Sequence, residues 1–135
     1  MSDWRKLALE LFPELRTYIR DKETTIYWLF FDLLPIAVAA HKAQNTKKLE
    51  VIYRFADWCH KQKDRAPDIW NAAYTAFYEH LVDDEVTLEA IPYWIKPGLF
   101  QDMRDEFEKR LERKGKGKFR ELLKRYNEAN SIDFK

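Results

Sequence analysis

The sequence predicts an all-α fold, and three observations carry that reading. Glycine is almost absent: Gly98, Gly115 and Gly117 are the only three, whereas tight hairpin turns ordinarily need glycine or asparagine at positive φ. Apolar residues recur at helical spacing: Ile52, Phe55, Ala56 and Cys59 fall at i, i+3, i+4 and i+7, and Trp70, Ala73, Tyr74 and Phe77 repeat the pattern with Leu81 continuing the row. The chain is 46% hydrophobic and 16% aromatic yet 35% charged, a composition that buries a core without disulfides or metal and leaves no room for extended disorder. The expectation is a single all-helical domain over residues 1–135, a compact bundle of six or seven short helices. Their succession is compatible with HEAT-like stacking, although no repeating consensus is present.

The elements follow from periodicity and from the residues that start and stop helices. Helices are expected at 3–20, 25–43, 47–62, 67–82, 86–91, 98–113 and 117–129. Thr24 or Thr25 suits the N-cap of the second helix and Thr46 that of the third, because a hydroxyl there accepts a bond from an orphan N–H. Pro67 and Pro97 suit first-turn positions, where the missing N–H costs nothing. Pro35 falls inside the second helix and should kink it. Pro92 should end a short helix and leave "PYWIKPG" (92–98) as an aromatic loop. The run "IYWLFFDLLPIAVAA" (26–40) reads as the central, least exposed helix. Leu29, Leu33, Ile36, Phe55, Trp70, Ala73 and Phe77 are expected to be largely buried. Trp28, Phe30, Phe31, Trp58 and Trp70 read as core rather than as a ligand box, and Asp32 in their midst calls for a lysine or arginine partner.

Several function classes lose support at this level. The run 26–40 is shorter than the ~20 residues a membrane span needs, and "MSDWRKLALELF" has neither the uninterrupted apolar stretch nor the cleavage site of a secretory signal. A lone cysteine, Cys59, cannot form an internal disulfide, so a cytoplasmic setting fits best. His80 lies three and four residues before Asp83 and Asp84, spacing that puts two ligands on one helical face, but no HExxH, CxxC or second Glu-x-x-His completes a metal set. The only two serines, Ser2 and Ser131, sit near the ends of the chain, and Cys59 belongs to an apolar row, so no activated nucleophile is expected. "GKGKF" (115–119) lacks P-loop spacing. The expectation is no enzymatic activity, no metal and no cofactor.

Charge is unevenly spread beneath a net +1. Residues 66–92 hold six acids and no lysine or arginine, whereas residues 109–125 hold nine basic residues against Glu112 and Glu121. The stretch "FYEHLVDDE" (77–85) with its aromatic sequel suggests an acidic partner-facing surface: Glu79, Asp83, Asp84, Glu85 and Glu89, bordered by Tyr93 and Trp94. Acids at 83–85 also suit the start of the next helix. The basic segment offers the alternative of a nucleic-acid-binding protein using 109–125. Its apolar row (Phe119, Leu122, Leu123, Tyr126) turns one face inward, which leaves the cations as ordinary solubilising surface.

The segments "VIYRFADWCHKQ", "DIWNAAYTAFYEHL" and "IPYWIKPGLF", in that order on an all-helical chain of this size, resemble a group of small bacterial domains that look like immunity proteins of polymorphic toxin systems. The resemblance covers roughly residues 30–125 and contains no catalytic signature. It implies a cytosolic protein that neutralises a cognate toxin domain by sitting on its active site or another essential surface. No site residue is carried over from it. An acidic face would complement the basic cleft of a toxin acting on nucleic acid and would speed encounter.

Overall fold

The computed structural model describes residues 1–135 and is entirely helical, with no strand. It contains eight α-helices rather than six or seven: α1 (Asp3–Leu11), α2 (Arg16–Arg20), α3 (Ile26–Lys42), α4 (Thr46–His60), α5 (Pro67–Ala76), α6 (Glu85–Trp94), α7 (Pro97–Lys114) and α8 (Lys118–Asn130). Short 3-10 turns occupy Pro13–Leu15 and Tyr78–Asp83. No helix is long and apolar enough to cross a membrane.

The extra helices have local causes. The segment expected as one helix over 3–20 breaks because Pro13 disfavours the helical conformation at the residue before it. Phe12 accordingly leaves the α region (φ −127°, ψ 63°), and Pro13 opens the 3-10 turn. Thr25 caps α3 as expected, its hydroxyl accepting from the Trp28 N–H at 3.2 Å. At α4 the cap is Asn45 and not Thr46: the Asn45 side chain accepts from the Lys48 N–H at 3.2 Å, and Thr46 is already helical. The helix expected over 67–82 stops at Ala76, where the chain tightens into the second 3-10 turn. Pro67 and Pro97 do open α5 and α7.

The chain divides into two compact units, Met1–Tyr78 and Glu79–Lys135. In the first, α3, α4 and α5 pack pairwise, and α1 lies against α2 and α4. Its centre is aromatic: Phe55 meets Phe12 edge-on at 5.6 Å and Phe30 at 5.3 Å, while Phe77 meets Phe30 at 5.6 Å and Tyr53 at 5.8 Å. Such pairs add about 0.5–1.5 kcal/mol each beyond the area they bury. Leu29, Leu33, Ala73 and Phe77 are buried as expected, but Ile36 and Trp70 are only half-buried. Nor is α3 buried all round: Trp28 is 60% exposed and Phe31 47%. They meet edge-on at 6.1 Å on a solvent face shared with Asp32 and Pro35. Pro35 sits on that wet side, where the carbonyl it leaves without a helical donor can be hydrated, and α3 continues through it.

In the second unit α8 packs against both α6 and α7. Phe100 and Tyr126 stack at 3.9 Å, with Phe107, Phe119 and Phe134 around Phe100. The Tyr126 hydroxyl donates to the Ile95 carbonyl, and the Asn130 side-chain amide donates to the Pro92 carbonyl at 2.9 Å. These two bonds explain why 92–98 is not an aromatic loop. Pro92 removes one helical donor but its φ fits a helix, the Ile95 N–H closes onto Ile91, and α8 side chains take up carbonyls at the end of α6.

Candidate functional site

The acidic stretch resolves into two groups with different employment. Asp84 is the N-cap of α6: its carboxylate accepts from the Val86 N–H at 2.8 Å and satisfies an orphan donor. Nearby, the buried Thr87 hydroxyl donates to the Leu81 carbonyl and ties the first turn of α6 to the preceding 3-10 turn. Glu79 and Asp83 are also committed. Arg110, from the middle of α7, places one terminal nitrogen 2.8 Å from Glu79 Oε1 and the other 3.0 Å from Asp83 Oδ2. Its Nε lies 3.7 Å from Glu106 Oε2, and His80 Nδ1 lies 2.8 Å from the same Asp83 oxygen. Burial by itself would lower the Arg110 pKa, but the Glu79 and Asp83 carboxylates outweigh it and hold the guanidinium charged more firmly than usual.

The uneven charge therefore has a partly internal explanation. Residues 79–83 carry no cation of their own because Arg110 of the basic segment supplies it, and Lys114 reaches the Val82 carbonyl at 2.7 Å. A basic residue 31 positions from Glu79 leaves no local pattern.

What remains outward-facing is a stripe on α6. Glu85, Glu89 and Tyr93, spaced at i, i+4 and i+8, are all exposed, Tyr93 to 78%. Trp94 is half-buried at its edge. Of the seven residues predicted for partner binding, these three form one exposed helical stripe, while Glu79, Asp83 and Asp84 have internal partners.

The other singled-out residues fall into place around this. Cys59 is buried, and burial pushes its thiol pKa well above the ordinary value, which leaves it a poor nucleophile. His60 packs edge-on against Tyr78 at 5.9 Å. No three histidine, cysteine or carboxylate side chains gather where they could hold a metal ion. Asp32 has the Tyr18 hydroxyl as its partner instead of a lysine or arginine; burial and that carboxylate together push the Tyr18 pKa up to about 12. The Trp28–Phe31 pair is the surface that periodicity missed, because a run apolar at nearly every position gives no phase from which to tell the wet side from the dry one.

By its fold the chain is an all-helical protein whose polar clusters are knitted by hydrogen bonds and ion pairs within each unit. Residues 5–112 match the family of domains of unknown function DUF7674, and the chain belongs to that family. No curated protein and no solved structure matches it.

Proposed function

We propose that this chain is a non-enzymatic, cytosolic protein-binding module of the immunity-protein kind, which neutralises a cognate toxin domain by binding it through the exposed face of α6. The observation that carries the reading is Tyr93, a large aromatic 78% exposed in line with the exposed Glu85 and Glu89 on one regular helix. A rigid helix presenting an aromatic anchor beside carboxylates matches the make-up of protein interfaces, in which aromatics supply affinity and rim charges steer encounter. Trp94, half-buried beside Tyr93, widens the anchor, whereas Glu79 and Asp83 are held by Arg110. The resemblance in "DIWNAAYTAFYEHL" and "IPYWIKPGLF" agrees with this reading independently of the charge pattern.

The test is capture of the partner from the source cells with this chain as bait, followed by binding kinetics with the captured domain. Tyr93→Ala should weaken binding by about thirtyfold, mostly through faster dissociation, as truncation of a desolvated anchor does. Glu85→Lys with Glu89→Lys should slow association and reduce its salt dependence. All three positions are exposed, so far-UV circular dichroism and melting should be unchanged. Unaltered kinetics in these variants would refute the α6 face. If Trp28→Ala weakens binding instead, the interface belongs to α3.

A further inference from the structure

We propose a second binding site, independent of the α6 face: the groove beside the α7–α8 turn binds a compact, multiply charged phosphorylated small molecule. The groove has a volume of about 700 Å³, within the roughly 300–1,000 Å³ range of small-ligand sites. Arg104 of α7, Lys116 of the turn, Arg120 of α8 and Lys135 line it. Only Glu108 and Glu112 contribute negative charge to its walls.

Not all of these cations are consumed by the fold. Lys116 and Arg120 are exposed, Arg120 near enough to feel the Glu112 charge, whereas Lys135 pairs with Asp133 at 2.9 Å. Arg104 is oriented from two sides, by a bond to the Lys135 carbonyl at 2.7 Å and by the Phe119 ring 5.5 Å beneath its guanidinium. One of the two acids is occupied. Gly117, at φ 84°, starts α8 in the left-handed region and brings no capping side chain, so the Glu112 carboxylate accepts from the Gly117 and Phe119 amides, each at 3.1 Å. Those backbone bonds hold the Glu112 pKa below the usual carboxylate range. Four cations thus face two carboxylates, Glu108 and Glu112, with Lys135 also paired to Asp133, and the positive excess that remains in a concave site favours an anion with more than one charge.

Size and lining argue for a small molecule and against a nucleic-acid strand. The Phe119 ring, 4% exposed, lies under Arg104 and offers no platform for a base. Toward the start of α7 the exposed surface past the groove carries Asp102 and Asp105, so no basic track continues in that direction for a string of phosphates.

With glycine at only three positions, backbone amide NMR reads the site directly. Inorganic pyrophosphate titrated into the full chain at near-physiological salt should move the Gly115 and Gly117 signals saturably, with a Kd of about 0.1–1 mM, and leave Gly98, at the far end of α7, in place. Lys116→Glu with Arg120→Glu should weaken this by at least about tenfold while circular dichroism and the Gly98 signal stay as in the parent. The proposal is overturned if no saturable shift occurs below about ten times that Kd, or if the charge-reversed chain responds equally. It is also overturned if a 12-nucleotide single-stranded RNA moves the same signals at lower phosphate concentration than pyrophosphate, since the occupant is then a nucleic-acid strand.

Discussion

Arg5 and Arg110 each gather several oxygens, but oxygens of different kinds. In Met1–Tyr78, Arg5 donates to backbone carbonyls: Ile19 at 2.6 Å, Asp21 at 3.0 Å and Thr24 at 2.7 Å. These lie at and just beyond the C-terminal end of the one-turn helix α2, where helical carbonyls lack donors and a cation suits the dipole. In Glu79–Lys135, Arg110 instead meets carboxylates, Glu79 and Asp83 directly and Glu106 at longer range. The first arginine stitches a turn that has too few residues to hold itself. The second neutralises like charges that the sequence crowds together. One residue type therefore answers two different deficits, and the two should respond differently to solution conditions.

The largest effect is expected at Arg5. Arg5→Met keeps most of the stem's packing but leaves the Ile19 and Thr24 carbonyls without their donor, at a cost of roughly 2–3 kcal/mol. Urea denaturation should register that loss almost equally at low and high salt, because the acceptors carry no net charge. Arg110→Met should cost less, about 1–2 kcal/mol at low ionic strength, since its partners are part-exposed and their mutual repulsion is partly screened by water. In about 1 M salt, where the Debye length is near 3 Å, the Arg110 deficit should shrink markedly. A salt-independent Arg110 deficit, or an Arg5 deficit that vanishes with salt, would erase the distinction.

The same contrast accounts for what was legible in the sequence. Fold class was readable because helix periodicity and glycine scarcity are local. So were caps and stops that act within a few residues, as at Thr25, Pro67 and Pro97. Pro13 was overlooked because the apolar spacing on either side of it is helical, and only the steric rule for the residue before proline breaks the phase. Pro92 misled in the other direction, since the donors that tie down the end of α6 come from Tyr126 and Asn130, more than thirty positions away. For the candidate site, the acidic and aromatic residues could be read from composition, although Pro92, read as a helix stop, hid that Glu85, Glu89 and Tyr93 share one helix. The commitment of Glu79 and Asp83 could not, because it depends on which of nine basic residues between 109 and 125 folds back toward them.

The smallest expected effect comes from a neutral hydrogen bond in the first unit, and it sharpens the comparison through pH. His41 Nε2 and the Tyr53 hydroxyl lie 2.8 Å apart, and burial lowers the His41 pKa below its ordinary 6.5. In the unfolded chain the ring takes up its proton near the ordinary value, whereas the folded chain resists until a lower pH. Between those two values the unfolded state binds more protons, so stability must fall as the pH drops through 6.5 and continue falling until the folded-state value is passed. Above about 7 the contribution is fully present. Melting temperature should therefore decline between pH 7.5 and 5.5 in the parent chain, and His41→Gln, which cannot titrate, should flatten that decline. Arg110→Met should leave the His41 step in place, because the step arises within Met1–Tyr78. If His41→Gln melts with the parent's pH dependence, the half-buried ring is not what couples this unit to acid.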